Sequence, residues 1–382
     1  MHPGKPKHDK SQRPRRVAVA ALVVLALASV FAISSSPLSG AKPRVGIGKG
    51  KLAKPGKRSL YWGAWIGKGL TGEAAPYDMS AVTAFQQMVG KPLSLIEWAM
   101  PFTDCSQTPC RDFNFPVSLM NDVRGYGAIP FLSWSSAAIG QPGDPTNQPD
   151  FQLRDVTAGL HDDYIRSFAT QAAAWGQPFF LRFDWEMNGN WMPWGANVNG
   201  NRPEDFVPAW RHVHDIFTSV GATNATWVWC PYVDVESEEN LAQFYPGAGY
   251  VDWSCLDGYN WGPGSPANPI PWRSFGTLYK QTYRRVVTKI APGKPMILAE
   301  IATSDYGGDK PAWIRNMFRN LKRGYMRVRA LIWFDVNDRE ARWELERTPG
   351  APEAFAQGIS DPMYLPNQYG SSSARPIPPP GA

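Results

Sequence analysis

The sequence predicts a single-domain α/β protein with the (β/α)8, or TIM, barrel fold. Short apolar runs rich in β-branched and aromatic residues recur eight times, and segments with helical spacing separate them. The runs are nearly continuous in apolarity, as expected of parallel strands buried on both faces. In chain order they are 60–65, 93–98, 128–134, 179–183, 226–230, 255–259, 296–300 and 330–334.

Between these runs, apolar residues recur every three or four positions, which predicts helices. Three clear stripes begin at Leu160, Phe206 and Trp313, and the acidic pair Glu204 and Asp205 introduces the second. Strand and helix alternate about eight times, the pattern of a (β/α)8 barrel. An open doubly wound sheet would also alternate, but no Gly-rich phosphate loop follows the first strand.

Residues 1–33 are predicted to be a signal peptide or an uncleaved membrane anchor. Six basic residues precede the uncharged run 17–33, whose length lies between a signal-peptide core and a minimal membrane span. Ala26-Leu27-Ala28 offers a small-residue cleavage site, whereas the basic flank also suits an anchor with a cytoplasmic N-terminus. We therefore expect a secreted, extracellular protein or one anchored at the cell surface.

The rest of the chain divides into three parts by composition. Residues 34–58 are rich in Gly, Lys, Pro and Ser and are predicted to be a flexible linker. Residues 59–368 contain the strand and helix patterns and form the barrel. Residues 369–382 are rich in Ser and Pro, with a Pro-rich end that lacks core-forming residues, and are predicted to be a disordered tail.

The charge distribution argues against a nucleic-acid partner. The formal net charge is +6, but residues 1–58 hold 13 of the 39 Lys and Arg and one of the 33 Asp and Glu. The remaining residues therefore carry a net charge of −6, whereas a nucleic-acid binder has its basic surface on the folded domain. We expect a monomer that contacts a membrane only through an uncleaved N-terminal anchor.

The four cysteines divide into two pairs. Cys105 and Cys110 share the polar stretch DCSQTPC and are predicted to form a disulfide. Cys230 stands at the end of one predicted strand and Cys255 at the start of the next, a separation that we take to be too large for a bridge. These two are predicted to be reduced. No CxxC motif or His cluster indicates a metal site, and we expect no cofactor.

Aromatic and acidic residues gather where the predicted strands end. Ligand sites of this barrel lie at the carboxyl ends of its strands. Pyranose rings present C–H faces that stack on indole, so tryptophans with acids among them predict a sugar-binding cleft; core packing is the alternative for each tryptophan taken alone. The residues concerned are Trp65, Trp98, Trp134, Glu186, Trp229, Tyr259, Trp261, Glu300, Trp333 and Asp335.

Two glutamates, Glu186 and Glu300, are the candidate catalytic acids. Glycoside hydrolysis usually needs one protonated and one ionised carboxyl group. Glu300 ends the apolar run MILAE, where a buried carboxylate without a partner would be costly. Strand alternation places Arg182, Asp184 and Glu186 on one face if the strand stays regular. Glu97 also ends a strand, in a less informative context.

These residues carry a resemblance to a known family. EMNGNW at 186–191, followed by PWG, resembles the acid/base motif of glycoside hydrolase family 26 of clan A. ILAEI at 297–301, followed by GGDK and Trp313, resembles the nucleophile region of that family. DGYNW at 257–261 matches a stretch found in its bacterial members.

The resemblance implies a (β/α)8 barrel and a retaining mechanism on β-mannans or mixed-linkage β-glucans. By position, Glu186 becomes the acid/base and Glu300 the nucleophile. Arg182 matches an arginine that supports the site, and Tyr259 matches a tyrosine beside the nucleophile. A retaining enzyme places its two carboxyl groups about 5–5.5 Å apart.

One position departs from the family, because Trp185 replaces the usual histidine before the acid/base. Indole donates one hydrogen bond but accepts none, so β-mannan is a less secure assignment. We expect cleavage of internal β-1,4 linkages, with β-mannan first and a mixed-linkage β-1,3-1,4-glucan or a bacterial exopolysaccharide as alternatives. A non-catalytic polysaccharide-binding barrel is the alternative from another class. The predicted substrate-binding residues are Trp185, Asn188, Trp191, Trp194, Trp229, Asn260, Trp261 and Trp333.

Overall fold

Eight parallel strands close into a barrel in the computed structural model, which describes residues 58–233, 241–337 and 341–381. The barrel order is β1-β2-β4-β5-β6-β7-β8-β9, and β9 pairs with β1 to close it. The short β3 pairs antiparallel with the end of β2. The strands are β1 Tyr61–Ile66, β2 Leu95–Asp104, β3 Arg111–Asp112, β4 Ile129–Ile139, β5 Phe179–Phe183, β6 Ala225–Trp229, β7 Trp253–Asn260, β8 Met296–Thr303 and β9 Val328–Asp335.

Helices surround this barrel, and the predicted (β/α)8 fold is confirmed. The α6 helix continues into a π-helical turn at Val286–Ile290. The first predicted stripe starts too early, because Leu160 is exposed and lies before α4. The helices are α1 Met79–Val89, α2 Val117–Tyr126, α3 Leu153–Thr157, α4 Asp162–Trp175, α5 Phe206–Ser219, α6 Phe275–Arg285, α7 Lys310–Gly324 and α8 Ala351–Ile359.

The closure of the barrel depends on a glycine in β1. Gly63 lies opposite Leu95 of β2. A Cβ atom added at Gly63 would lie 2.2 Å from the Leu95 carbonyl oxygen, so any side chain there would push the two strands apart. The absence of a side chain therefore lets the first and second barrel strands pair.

The α7 helix shows how the sequence sets a helix against the barrel. The Asp309 side chain caps its first turn by accepting a hydrogen bond from the Ala312 N–H at 2.7 Å, and Pro311 occupies that turn. Apolar residues three and four positions apart, including Trp313 and Met317, are buried on the barrel side. Lys310, at the first helical position, is also buried, which places a cation between helix and barrel.

The predicted N-terminal segments, 1–33 and most of 34–58, lie outside the described residues. Within those that are described, no helix is both long and apolar enough to cross a membrane. Arg58 is the first described residue, and its guanidinium donates to the carbonyls of Leu321, Tyr325 and Val328. Because Val328 begins β9, this contact lies at the amino-terminal face of the barrel.

Residues 369–381, predicted to be a disordered tail, include contacts with the barrel. Ile377 is buried; its N–H donates to the Thr226 hydroxyl at 2.9 Å, and its carbonyl accepts from the Trp253 indole at 2.8 Å. The Tyr61 hydroxyl donates to the Pro378 carbonyl at 3.0 Å. We predicted disorder because the segment has few apolar residues. Its backbone groups nevertheless form hydrogen bonds with side chains at the starts of β6 and β7.

Both cysteine pairs are disulfides. Cys105–Cys110 was predicted, but the prediction that Cys230 and Cys255 are reduced is wrong, because these two form the second bridge with Cα atoms 4.3 Å apart. Val228 at the end of β6 pairs with Trp253 at the start of β7. Barrel strands are staggered, so the end of one strand lies beside the start of the next.

Thiol titration of denatured, unreduced protein should therefore find no free thiol. Reduction of the denatured protein should release all four. A Cys230→Ser variant should show one thiol, that of Cys255, as a positive control for the assay. Two thiols in the unmodified protein would contradict the β6–β7 register.

Candidate active site

A backbone turn after β5 places Glu186 at the carboxyl end of the barrel. Asp184 and Glu186 have φ angles of 41° and 55°, in the left-handed region that non-glycine residues rarely occupy. The Asp184 carboxylate accepts from the N–H and hydroxyl of Ser136 at 2.8 and 2.6 Å, and the Glu186 N–H donates to the Cys230 carbonyl at 2.7 Å. The expected alternation from Arg182 is thus broken, because Asp184 turns toward β4.

A β-bulge orients the second glutamate. Leu256 pairs with Leu298 across β7 and β8, but Asp257 pairs with Glu300, so Ala299 is the extra residue. A one-residue insertion changes the face on which the following side chains lie. The bulge therefore sets the direction of the Glu300 carboxylate.

Glu300 is held by hydrogen bonds to its backbone and to both carboxylate oxygens. Its N–H donates to Asp257 Oδ1 at 2.9 Å. The Tyr259 hydroxyl donates to Glu300 Oε2, and Arg182 Nη2 donates to Glu300 Oε1. Donors on both oxygens, one of them cationic, stabilise the ionised carboxylate, as a nucleophile requires.

The two glutamates lie close together at the carboxyl ends of the fourth and seventh barrel strands. Carboxylate oxygens of Glu186, Asp257 and Glu300 lie within 4.8 Å of one another, and all three residues are buried. This spacing favours the separation of about 5–5.5 Å found in retaining enzymes over the roughly 6.5–9.5 Å typical of inverting ones. A cation could in principle be held by these oxygens, but those of Asp257 and Glu300 already accept hydrogen bonds.

Arg182 connects the acids beneath the cleft. Its Nη1 donates to Asp257 Oδ2 at 2.7 Å, and its Nη2 lies 2.6 Å from Glu97 Oε1 as well as beside Glu300. Its Nε donates to the Ser133 hydroxyl at 2.7 Å, which in turn donates to Glu97 Oε1 at 2.8 Å. The buried guanidinium thus fixes the position of three carboxyl groups.

These carboxyl groups cannot all be ionised against one cation. Burial raises the pKa of Glu97 to about 8, against the opposing attraction of Arg182. Burial also raises the pKa of Asp257, and the nearby carboxylates of Glu300 and Glu186 add to the rise. The two Asp257 oxygens accept hydrogen bonds, whereas Glu97 Oε2 has no partner. We infer that Glu97 holds a proton at neutral pH.

Glu186 has the surroundings of a proton donor. Burial raises its pKa to about 8, and the Glu300 carboxylate adds to the rise. The Trp191 indole donates to Glu186 Oε2, while Oε1 is buried without a hydrogen-bond partner. Oε1 is therefore the oxygen free to carry a proton toward a ligand.

Aromatic rings form one wall of the site. The Tyr259 ring lies 4.9 Å from the Trp343 ring, and Trp343 lies 4.8 Å from Trp261. Trp191 packs edge-on against Tyr232 at 5.1 Å, and the Tyr232 ring lies 6.3 Å from the ring of Tyr259. Of the predicted substrate-binding residues, Trp191 and Trp261 thus lie beside the acids.

Trp185 contacts Arg182 and Trp194 and is almost completely buried. Its ring lies 4.8 Å from the Arg182 guanidinium carbon and 5.0 Å from Trp194, and its carbonyl accepts from the Trp194 indole at 2.6 Å. Trp185 is 2% exposed and its N–H has no partner, whereas Trp194 is fully buried. Trp194 therefore supports Trp185 and is not itself placed to meet a ligand.

Two predicted tryptophans point away from the cleft. Trp229 packs against Tyr245 at 5.1 Å, and Trp333 packs against Phe355 of α8 at 5.4 Å. Both indoles are fully buried in the layer between barrel and helices. Both tryptophans are therefore core residues, which was the alternative to a role in sugar binding.

The two predicted asparagines hold the backbone around the site. The Asn188 amide exchanges two hydrogen bonds with the backbone of Tyr232, at 3.0 and 2.9 Å. The Asn260 amide donates to the Thr303 hydroxyl and accepts from the Arg273 N–H, both at 2.8 Å. Each amide thus uses one donor and one acceptor to position neighbouring groups of the site.

Four residues of the site were missing from the predicted set. Glu97 lies within the strand β2 and Asp257 opens the DGYNW stretch, so both carried a signal, an acid in a buried strand. Tyr232 and Trp343 lie in segments without strand or helix periodicity. Only the folded chain brings them to Glu186 and Tyr259.

Comparison with known proteins agrees with this geometry. The sequence profile described as Glycosyl hydrolase family 26 matches residues 163–297, the span that includes Glu186 and Tyr259. Endoglucanase H of Acetivibrio thermocellus is 30% identical over 303 residues, which cover 78% of this chain and 30% of that protein. The described barrel is a glycosyl hydrolase family 26 domain.

Other relatives of this family 26 domain include mannan-cleaving enzymes. Mannan endo-1,4-beta-mannosidase A and B of Caldalkalibacillus mannanilyticus is 30% identical over 176 residues, 44% of this chain and 29% of that protein. The chain thus spans about 30% of the length of the curated relatives it matches.

Solved structures share the fold at low sequence identity. The GH26C structure from Muricauda sp. superposes with a TM-score of 0.60 at 17% identity, covering 82% of this chain and 89% of that one. The GH26 beta-mannanase from Bacteroides ovatus gives a TM-score of 0.55 at 15% identity, covering 81% and 90%.

Proposed function

We propose that this family 26 domain is a retaining glycoside hydrolase that cleaves internal β-1,4 linkages of a polysaccharide, with β-mannan as the first substrate. The observation that carries the proposal is the pair Glu186 and Glu300, one oxygen of each lying within 4.8 Å of the other. Burial raises the pKa of Glu186, whereas Arg182 and Tyr259 donate hydrogen bonds to the Glu300 carboxylate. A non-catalytic binding barrel would have no use for such a pair.

In the first step, Glu300 attacks the anomeric carbon and the bond to the leaving oxygen breaks. Glu186 gives its proton to that oxygen as it departs. Arg182 and Tyr259 hold the Glu300 carboxylate in place for the attack. The product of this step is a glycosyl ester on Glu300.

In the second step, water hydrolyses the glycosyl ester. Glu186, now ionised, takes a proton from the attacking water, whose oxygen bonds to the anomeric carbon while the ester bond to Glu300 breaks. Two inversions at the same carbon retain the β-configuration, and both glutamates return to their starting protonation states.

The choice of substrate rests on two relatives and one departure. The relative aligned over 78% of the chain is called an endoglucanase, whereas the mannan relative aligns over 44%. Trp185 also replaces the histidine usual in the family. A mixed-linkage β-glucan is therefore the second candidate, and a bacterial exopolysaccharide is the third.

A reducing-sugar assay across mannan, galactomannan, lichenan and xylan tests the proposal. Release from mannan or galactomannan supports the first substrate, and release from lichenan alone supports the second. No release from any of them, together with retained binding to one of these polymers, would favour the binding barrel.

The pH profile should fall on the alkaline side near pH 8. Burial raises the pKa of Glu186 to about 8, so the proton is present below that pH and is lost as the pH rises through it. The check is kcat/KM against pH on a soluble oligosaccharide. An aryl glycoside with an activated leaving group needs little protonation and should show a weaker alkaline limb. An alkaline limb below about pH 6 would contradict a proton held by burial.

Trp185→His should shift substrate preference by about tenfold while hydrolysis persists, the size expected of one altered pocket contact. Imidazole is smaller than indole, can accept a hydrogen bond, and loses the contact with Arg182. The measurement is the ratio of kcat/KM on mannan and on mixed-linkage glucan. Trp229→Phe, in the layer behind the barrel, is the matched control and should leave the ratio unchanged. An equal ratio in both variants would remove any role of Trp185 in specificity.

We also propose export of the protein, with a polysaccharide as its partner and no nucleic-acid partner, cofactor or metal. Two disulfides are compatible with an oxidising, extracellular location. Residues 1–33 would direct export or anchor the protein, and the barrel would act as a monomer. Mass spectrometry of the mature N-terminus distinguishes a released form from an anchored one.

A further inference from the structure

Lys310 is a buried cation outside the network of Arg182. It is fully buried at the first position of α7, and its ammonium donates to three successive carbonyls, those of Arg342 at 3.0 Å, Trp343 at 2.9 Å and Glu344 at 2.8 Å. An ammonium has three N–H donors. All three are used on one short backbone segment, 342–344.

Carboxylates around Lys310 favour its charged form. Burial lowers the pKa of Lys310 to about 8, and Asp335, Asp305, Glu344 and Glu346 oppose that fall. The ammonium is therefore mostly protonated at neutral pH, and its three donors are present. Asp335 adds a second tie to the same segment, because its Oδ1 accepts from the Leu345 N–H at 2.8 Å.

The segment held in this way carries Trp343 into the active site. Trp343 is fully buried, with its ring 4.9 Å from Tyr259 and 4.8 Å from Trp261. Tyr259 in turn donates its hydroxyl hydrogen to Glu300. A continuous path of contacts thus runs from the start of α7 to the nucleophile.

We propose that Lys310 is a positioning residue: it holds the 342–344 backbone so that Trp343 seats the Tyr259 hydroxyl against the Glu300 carboxylate. The proposal rests on the hydrolytic function above. It assigns a role to the GGDK stretch, in which Lys310 is the only residue whose side chain donates to segment 342–344 in the part of the chain that the structure describes.

The test is Lys310→Met, which keeps the length of the side chain and removes its donors. We expect kcat to fall about ten- to hundredfold with KM nearly unchanged, because a misplaced Tyr259 affects the nucleophile more than substrate binding. The acid limb of the pH profile should move in the same direction as in Tyr259→Phe, because both changes disturb the hydrogen bond from the Tyr259 hydroxyl to the Glu300 carboxylate. Tyr259→Phe gives the reference for that movement.

Two further variants keep the test decisive. Trp343→Phe leaves Lys310 in place and should move the acid limb in the same direction, even if Lys310→Met fails to fold. Lys322→Met makes the same change at an exposed lysine of α7 and should alter neither kcat nor the pH profile.

The outcomes separate the two proposals. If the unmodified protein hydrolyses no polysaccharide, the proposed function fails. If it is active but Trp343→Phe and a folded Lys310→Met keep the acid limb of the unmodified protein, the positioning role is overturned. If Lys310→Met reduces the amount of folded protein and lowers kcat but leaves the acid limb of the pH profile in place, the role of Lys310 is purely structural.

Discussion

Glu300→Ala should abolish turnover on every substrate, polysaccharide and aryl glycoside alike, with a fall in kcat of about 10⁴-fold or more. Without the carboxylate, no glycosyl ester can form, and the hydrogen bonds from Arg182 and Tyr259 have no acceptor. The quality of the leaving group should make no difference, because the missing atom is the attacking one. Initial rates on mannan and on an activated aryl glycoside are the measurement.

Removal of a buried carboxylate can also change folding, so the thermal unfolding midpoint must be recorded beside the rates. Glu353→Ala, at an exposed position in the first turn of α8, is the matched control and should retain full activity. Turnover by Glu300→Ala above about one per cent of the unmodified rate would exclude Glu300 as the nucleophile.

Glu186→Ala should be selective in what it loses. On polysaccharides we expect a fall of about 10²- to 10⁴-fold, because the leaving oxygen departs without a proton. On an aryl glycoside with an activated leaving group, the first step should stay fast and the glycosyl ester on Glu300 should accumulate. Azide, a small anion that needs no general base, should then release a β-glycosyl azide, identified by NMR.

The stereochemistry makes this second result decisive. A β-glycosyl azide from Glu300→Ala in place of Glu186→Ala would reverse the two roles. An α-anomer released by the unmodified protein from a β-linked substrate would exclude retention. The oxygen separation within 4.8 Å would then need another explanation.

The sequence predicted the barrel because buried parallel strands leave a local signature. The eight apolar runs are visible without knowledge of their neighbours, and an acid such as Glu300 within one is conspicuous for the cost of burying it. The ends of the strands were predicted less well. At Asp184 the chain leaves the strand through a left-handed turn held by Ser136, a contact 48 residues away in sequence.

The stagger between neighbouring strands could not be predicted, because the pattern of each strand was analysed separately. The Cys230–Cys255 bridge depends on the stagger of β6 against β7, which is a property of the closed barrel. Whether a strand-end tryptophan faces the cleft depends on the phase of the alternation. Trp229 and Trp333 match the aromatic pattern but face the helices.

Arg58 and residues 369–381 contact the barrel at the face that lies opposite the active site. Arg58 binds at the start of β9, and Ile377 binds at the starts of β6 and β7, so both lie at the face of the barrel opposite the two glutamates. The rim around the cleft is left to the loops that follow the strands. The proposed polysaccharide substrate would therefore cross that rim without meeting either of these segments, and a support coupled at the Arg58 face would hold the barrel with its active site turned outward.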